Sequence, residues 1–480
     1  MSDSFKIFQF EDITTKTQAL TQCFSTKLPV LEQADMWLKL VKAHCRRAFK
    51  LIRIRPQKIK PSAADKLISE RNKINRKGVV DTFALDAQIA SIISKEEMKK
   101  ALMFKKFIDI NQPGAVTEMW KLKKQLFPKK AASLPSAKLN YQNKIVSHPK
   151  DLIKLLGEEY GIVRLRKRPT HPLMVKGKNI RKNILKTKLL LANRRKSLPF
   201  KIEDLEEVLK GVKTNKARDP AGIARTIFKA NVIGDNLKES LLILFNRLKS
   251  SGKLPDFMKR AIVTTIPKKG KKILLKNERG IFLVSSVRSI LMRLIYNLKS
   301  KTLDSHMTDS NVGGRKNKSG INHIWVMQSI IHENMSSVKK VPIVIQQYDY
   351  RQMFDGMDSS EACGDIYDYG VNDDHLTLIH EGNEEVVISV KTSYGLSKEY
   401  KLTSRIMQGD TWACAEASAQ VDSFGKEMLE ENPNYMYKYM GVVPIPLLGQ
   451  VDDLIGVAEA GFKSKQLNSF VNVKTADKDL

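Results

Sequence analysis

Apolar residues recur with a period near 3.6 along several stretches of the chain, which indicates helices with one buried face. The clearest case is residues 84–107 (ALDAQIASIISKEEMKKALMFKKF), and the basic stretch from 1 to about 195 is predicted to be mostly helical. Further helices are predicted at 202–212, where acidic residues come early as the helix dipole favours, within 222–250, and at 286–298.

Runs of β-branched and apolar residues predict strands in the second half of the chain. Residues 261–266 (AIVTTI) end at Pro267, and 280–284 return after a basic loop. The other strand candidates are 341–345, which run into Asp349, the stretch 385–400, and 442–457, which are apolar on both sides of Asp452-Asp453. Strands mixed with helices, such as one predicted at 411–426, indicate an α+β fold with a mostly antiparallel sheet.

The length of 480 residues suffices for two or three domains. Breaks near Ser197-Leu198-Pro199 and at residue 341 divide the chain into 1–196, 197–340 and 341–480. No apolar run reaches about 18 residues, and the N-terminus lacks a secretion-signal pattern, so we expect a cytoplasmic and nuclear protein without a membrane span. The four cysteines show no CxxC spacing, and neither a disulfide framework nor structural zinc is expected.

The formal net charge of +32 is distributed unevenly along the chain. Residues 341–480 hold 11 basic and 23 acidic side chains, a net of −12, so residues 1–340 carry +44. A strongly basic body binds a polyanion through counterion release. The acidic part can bind divalent metal ions. A solubilising acidic tail would be poor in apolar residues, and this segment is not.

Two acidic sites follow apolar strands. One is Asp349–Asp355 (DYRQMFD), and the other is Asp452-Asp453 within an apolar hairpin. Clustered carboxylates next to apolar strands are costly unless a positive charge lies between them. Two Mg²⁺ ions, with Mn²⁺ as a possible substitute, supply that charge and stabilise the attacking and leaving oxygens of phosphoryl transfer. An Asp-Asp pair alone is common in turns, so the prediction depends on the two sites occurring together in this order.

This ordered set resembles the fingers and palm of reverse transcriptases, in particular those of non-LTR (LINE-type) retrotransposons, over roughly residues 200–480. Asp349–Asp355 is similar to the first palm motif, in which Asp349 binds metal and Phe354 is the steric gate that excludes a 2′-hydroxyl. Gln408-Gly409 resembles the second motif, near the nascent base pair. Asp452-Asp453 resembles the third, with Asp452 as the second metal ligand and Asp453 in support.

The resemblance extends to the fingers. The sequences IPKKG and NERGI are similar to a motif pair in which Lys268 or Lys269, together with Arg279, binds the triphosphate of the incoming nucleotide. The loop containing Gly314 and Arg315 resembles the one that contacts the template. By this resemblance, 1–196 is a basic, mostly helical connector region, 197–340 the fingers and 341–480 the palm.

The function implied is RNA-directed DNA synthesis by two-metal nucleotidyl transfer. Its partners would be an RNA template, a DNA primer and dNTPs, and the element's own RNA in a ribonucleoprotein. An RNA-dependent RNA polymerase shares the palm, but Phe354 and the Gln408-Gly409 pair argue against it. The alternative, of a different class, is a catalytically inactive remnant that only binds RNA. The +44 body supports nucleic-acid binding under either hypothesis and does not separate them.

Several positions depart from the family pattern. Gly280 replaces a usual proline, 411–418 lack a common Ser-Pro, and Gln450 stands where an aromatic or apolar residue is usual. The chain stops about 27 residues past Asp453, before the thumb that the family usually has. We therefore expect a fragment of a longer reading frame, or a decayed copy.

Overall fold

The structure, a computed structural model, forms two compact units, Met1–Ser4 with Leu51–Ser133 and Phe5–Lys50 with Leu134–Leu480. It describes residues 20–25, 28–48, 67, 87–88, 90–91, 95, 139–142, 144–163, 172–213, 218–267, 274–337, 341–349, 353–402, 405–451 and 453–477. Most of the helix predicted at 84–107 thus lies outside the described residues, and its described positions are helical. The residues of all the predicted motifs belong to the second unit.

Helices dominate the described part of this unit. In chain order they are α1 (Val30–Ala48), α2 (Pro149–Glu158), α3 (Pro172–Arg194), α4 (Ile202–Lys210), α5 (Asp235–Ser251), α6 (Ser286–His306), α7 (Gly320–Ser336), α8 (Met353–Gly356), α9 (Ser359–Asp368), α10 (Asp374–Asn383), α11 (Ala413–Glu431) and α12 (Phe462–Asp477).

Local sequence explains several helix ends. Asp358 precedes α9 and its side chain accepts a hydrogen bond from the backbone N–H of Ser360. At its C-terminal end, α5 stops at Gly252, whose φ of 65° is the left-handed conformation that glycine adopts most readily. None of the helices in the described residues is long and apolar enough to cross a membrane.

The strands are β1 (Leu139–Tyr141), β2 (Lys144–Val146), β3 (Arg260–Pro267), β4 (Glu278–Val284), β5 (Ile343–Asp349), β6 (Val386–Thr392), β7 (Gly395–Leu396), β8 (Tyr400–Leu402), β9 (Lys438–Tyr439), β10 (Val443–Pro444), β11 (Leu448–Gln450) and β12 (Asp453–Glu459). Two sheets matter for the site. One has the order β11-β12-β5 and is antiparallel throughout. The other has the order β4-β3-β6-β7, with β8 also paired to β6.

The second sheet is mixed. Strand β3 pairs with β4 antiparallel and with β6 parallel. The sequence places β6 in the range predicted as palm, whereas β3 and β4 lie in the range predicted as fingers. The sheet therefore crosses the predicted boundary at residue 341. Together with the packed helices, the mixed sheet makes the fold α+β, as predicted.

Apolar side chains form several separate clusters. The largest packs helices α1, α4, α5, α6 and α10 against one another. A second lies between the β11-β12-β5 sheet and helices α11 and α12, and a third covers the β4-β3-β6-β7 sheet with α2. Each of these two sheets thus has its own apolar layer, and α11 contributes to the first two clusters.

Trp37 anchors α1 in the largest cluster. Its side chain is fully buried, and its indole N–H donates to the hydroxyl oxygen of Ser240 on α5, 2.9 Å away. We predict that Trp37→Ala lowers the free energy of unfolding by about 3–5 kcal/mol, because it leaves a large cavity. Urea unfolding measures this effect.

Trp325 on α7 provides the matched control, since 66% of its surface is exposed. Trp325→Ala should change stability by no more than about 0.5 kcal/mol. Equal losses in the two variants would contradict the assigned packing of α1.

Candidate functional site

An acidic edge forms where β5 ends and β12 begins. The antiparallel register pairs Asp349 directly with Asp453 across the two strands. Directly opposed residues of an antiparallel pair have Cβ atoms about 4.5–5.5 Å apart. Asp452 lies outside the described residues, as do the side chains of Asp349 and Asp355. The backbone therefore brings two of the three predicted aspartates to one point.

The turn before Asp453 has an unusual backbone. Strands β11 and β12 pair Gln450 with Asp453, which leaves a two-residue loop whose first residue is Val451. Val451 has a φ of +59°, a left-handed conformation that β-branched residues avoid. Such a conformation costs of order 1–3 kcal/mol and persists only where surrounding contacts impose it.

The segment 310–313 supplies those contacts. Its backbone bonds to β11, with the N–H of Val312 donating to the carbonyl of Gly449 and the N–H of Gly449 donating to that of Ser310, both at 2.9 Å. Gly313 lies so close to the turn that a Cβ there would be 2.6 Å from the backbone nitrogen of Val451. Only glycine fits between this segment and the acidic hairpin.

The next residues form the predicted template loop. Gly314 has a φ of +67°, and its exposed backbone follows directly on the hairpin contact. Arg315 is mostly buried and donates to the carboxylate of Asp304 at 2.5 Å and to the carbonyl of Asn311 at 2.6 Å. Its guanidinium thus holds the shape of the loop. The prediction that Gly314 and Arg315 contact a template stays a prediction.

The Gln408-Gly409 pair is attached to strand β4. The N–H of Phe282 donates to the carbonyl of Gln408 at 2.9 Å. Gly409 has a φ of +116°, and a Cβ there would be 2.9 Å from the carbonyl oxygen of Phe282. Both the conformation and the close approach require glycine. The same strand carries exposed Arg279, opposite Ile266. Lys268 and Lys269 lie outside the described residues.

The unusual Gly280 in this strand has a structural reason. A Cβ at Gly280 would be 2.4 Å from the ring of Tyr160, whose hydroxyl donates to the carbonyl of Glu278 at 3.2 Å. The ring of Tyr160 therefore occupies the space that a side chain would need at residue 280.

Phe354, the predicted steric gate, is half-buried on α8 and packs against the cluster under the acidic sheet. A β-bridge between Asp358 and Arg405 joins the segment after α8 to the segment before Gln408. The bridge therefore joins the segments that flank the first and second predicted palm motifs.

A buried network that the sequence did not indicate fixes the residue after Gly409. Arg288 on α6 forms a fully buried ion pair with Asp410 and donates through Nε at 3.0 Å. Its remaining donors go to the carbonyl of Gly382 and the side chain of Asn383, which itself donates to Glu416 at 2.6 Å. The signal in the sequence was an arginine within the apolar run of α6. The hydrophobic pattern alone does not show which residue pairs with it.

Burial, and then the charge of Asp410, raise the pKa of Glu416 to about 8. Glu416 is therefore protonated at neutral pH. The buried network then contains one cation and one anion, so its charges balance.

A second group of possible metal ligands lies at the start of α10. The ligand atoms of Asp373, Asp374 and His375 lie within 4.8 Å of one another, so this group could hold a metal ion. Burial disfavours the charge of Asp373, yet hydrogen bonds from His375 and Lys299 outweigh it and hold the pKa of Asp373 below its ordinary value. Asp374 accepts from the hydroxyl of Ser197 at 2.5 Å. Internal partners thus already satisfy these carboxylates.

Comparison with known proteins gives no close relative. No family model matches the chain, and no curated protein matches it. Among solved structures, an apo telomerase from Candida tropicalis truncated from its C-terminal domain is 12% identical, with a TM-score of 0.36 over 47% of this chain and 49% of that one. A telomerase from the same organism in complex with a TWJ fragment of telomeric RNA is 12% identical, with a TM-score of 0.35 over 50% and 43%.

The chain thus spans about half the length of the telomerases that it resembles. At this level of similarity, only the residues and the geometry of the site itself bear on what the site does.

A substitution at Gly313 tests whether the segment 310–313 supports the acidic hairpin. We predict that Gly313→Ala lowers the free energy of unfolding by about 1–3 kcal/mol, because the added methyl group forces the loop away from Val451 and from the hydroxyl of Ser418. Chemical denaturation measures the loss. Gly364→Ala within α9 is the control, since a Cβ there meets nothing within 4 Å. A neutral or stabilising effect at residue 313 would contradict the close approach.

The raised pKa of Glu416 predicts that the free energy of unfolding depends on pH. Its pKa is higher in the folded than in the unfolded chain, so its contribution is fully present below the unfolded value and is lost as pH rises towards about 8. Between pH 5 and 7.5, this group should lower the free energy of unfolding by about 1.4 kcal/mol per pH unit. Glu416→Gln should remove that slope.

The measurement is the difference between wild type and variant in denaturant unfolding across this pH range. Glu430→Gln, at an exposed position on the same helix, is the matched control. A constant difference between wild type and Glu416→Gln at every pH would show that Glu416 does not titrate there.

Proposed function

We propose that this chain is an RNA-directed DNA polymerase of the kind carried by non-LTR retrotransposons. The observation that carries the proposal is the register of β5 and β12, which sets Asp349 opposite Asp453 beside a strained turn. Strain of this kind concentrates at active sites and ligand-binding segments. The order of the motifs along the sequence supports the same function.

The acidic edge suits Mg²⁺, a hard cation that binds carboxylate oxygens and substrate phosphates. Asp349 and Asp452 would hold the ions, with Asp453 in support. Bound there, the ions would activate the primer 3′-hydroxyl and stabilise the pyrophosphate leaving group. The chain's own task is to hold these carboxylates in place before substrate arrives, so that catalysis comes mainly from positioning and charge.

The other motif residues would define the substrate. Phe354 would exclude a 2′-hydroxyl, Gln408 and Gly409 would line the nascent base pair, and Arg279 with Lys268 or Lys269 would bind the triphosphate. The backbone contact between Gln408 and Phe282 supports this arrangement, because it joins the strand of Arg279 to the second motif. A planar guanidinium fork suits phosphate oxygens.

Primer extension on an RNA template with Mg²⁺ and dNTPs tests the function. We predict that Asp349→Asn and Asp452→Ala each reduce extension by at least about 100-fold, because each removes charge that the reaction requires. Glu459→Gln is the matched control, because Glu459 lies at the opposite end of the same strand pair, across from Ile343. It should extend like the parent.

Three outcomes are informative. Extension by the parent and the control alone supports the proposal. Equal extension by all the variants would mean that the acidic edge is not the active site. If none extends while all still shift labelled RNA, the chain is an RNA-binding remnant and the polymerase function is refuted.

A further inference from the structure

A cationic cleft of about 360 Å³ lies between α4, α6 and the turn Arg225–Phe228. Lys213, Arg225 and Arg293 line it, against the single carboxylate of Glu207. No predicted motif includes any of these residues. The cleft therefore has a surplus of positive charge, which attracts an anionic ligand.

The two arginines have few partners. One terminal nitrogen of Arg225 donates to the hydroxyl of Ser289 at 2.9 Å, but its Nε is buried and has no hydrogen-bond acceptor among the residues that the structure describes. Arg293 lies over the ring of Tyr296, 5.5 Å from the centroid. Neither guanidinium forms an ion pair with a carboxylate in the described part of the chain. Burial, and then the charge of Arg293, lower the pKa of Arg225. An anion bound between the two arginines would offset both the burial of the Arg225 charge and its repulsion by Arg293.

The cleft continues into a larger one of about 630 Å³ that ends at the Gly314 loop. Glu207 and Asn297 border both clefts. Along α6, residues 293, 297, 301 and 304 follow one another at intervals of three or four, so they share one face of the helix. The distance from Arg293 to residue 304 along the helix is about 16 Å.

The basic residues that line the two clefts outnumber the three carboxylates of Asp204, Glu207 and Asp304; they are Lys213, Arg225, Arg293, Lys301, Arg315 and Lys316. Asp304 is also paired with Arg315. The path therefore leads from a loop that contacts the Val451 turn to two arginines that form no ion pair with a described carboxylate. Such a shape suits an extended polyanion better than an isolated ion.

We propose that Arg225 and Arg293 jointly bind one backbone phosphate of a nucleic-acid strand that runs along α6 to the acidic edge. The direction of the strand rests on the proposed polymerase function, whereas phosphate binding by the two arginines does not. Guanidinium groups bind phosphate oxygens through two parallel N–H donors. The contact is independent of base identity, because it involves the backbone alone.

Fluorescence anisotropy with a short, labelled single-stranded RNA tests the proposal across a range of salt concentrations. Arg293→Gln should weaken binding about 5- to 20-fold and reduce the slope of log affinity against log salt by about 0.7. The loss should be the same for RNAs of different base sequence. Arg225→Gln with Arg293→Gln should lose little more than either single change, because both arginines bind the same phosphate.

Arg260→Gln is the control, because Arg260 is an exposed arginine outside the cleft and is paired with Glu399. It should change affinity by less than about 2-fold. Arg225→Gln could also disturb the contact with Ser289, so thermal melting accompanies each variant. Arg293 is exposed, and its variant decides the outcome if the other one melts early.

Unchanged RNA binding by Arg293→Gln would overturn the proposal. So would calorimetric binding of inorganic phosphate or pyrophosphate that is lost in Arg293→Gln while RNA binding persists, because the cleft would then take a free anion. A chain that binds RNA through these arginines but fails to extend a primer would retain this inference and lose the polymerase function.

Discussion

The buried ion pair of Arg288 and Asp410 is the interaction on which the arrangement of the site depends. Removing two charges from water is costly, and excellent geometry with further hydrogen bonds is needed to offset that cost. Here Gly382 and Asn383 take the remaining donors of the guanidinium. One residue of α6 thereby fixes the end of α10 and the residue that follows Gly409. Each of these segments would be free to shift if the pair were broken.

A second constraint acts at the acidic edge, where the hairpin keeps an unfavourable backbone conformation at Val451. The strain persists because Gly313 and the backbone bonds of 310–313 leave the turn no room to relax. Asn311 and Ser418 extend this support, since the amide of Asn311 donates to the carbonyl of Ser418 and the hydroxyl of Ser418 donates to the carbonyl of Gly313. The loop predicted to touch a template thus also shapes the hairpin.

Local sequence predicted the elements better than their pairing. Runs of β-branched residues predicted β3 and β4, and the apolar stretch around Asp452-Asp453 predicted a hairpin. The structure contains all of these elements. The direct opposition of Asp349 and Asp453 depends on strand register, which a slip of two residues would change while every side chain stayed on the same face of the sheet. The parallel pairing of β6 with β3 joins residues that are far apart in sequence, and hydrophobic periodicity does not specify such a contact.

Side-chain roles were harder to predict, because an arginine looks the same in a sequence whether its partners are internal or external. Arg315 was predicted to contact a template and is largely satisfied by its own loop, whereas Arg293 belongs to none of the predicted motifs and has no carboxylate partner among the described residues. Arg288 and Arg293 are five residues apart on α6, which places them on different faces of one helix. The buried face positions the second motif and the exposed face lines the cationic cleft. Because a helix of this length is stiff, a ligand held at Arg293 would be held at a fixed distance from Gly409.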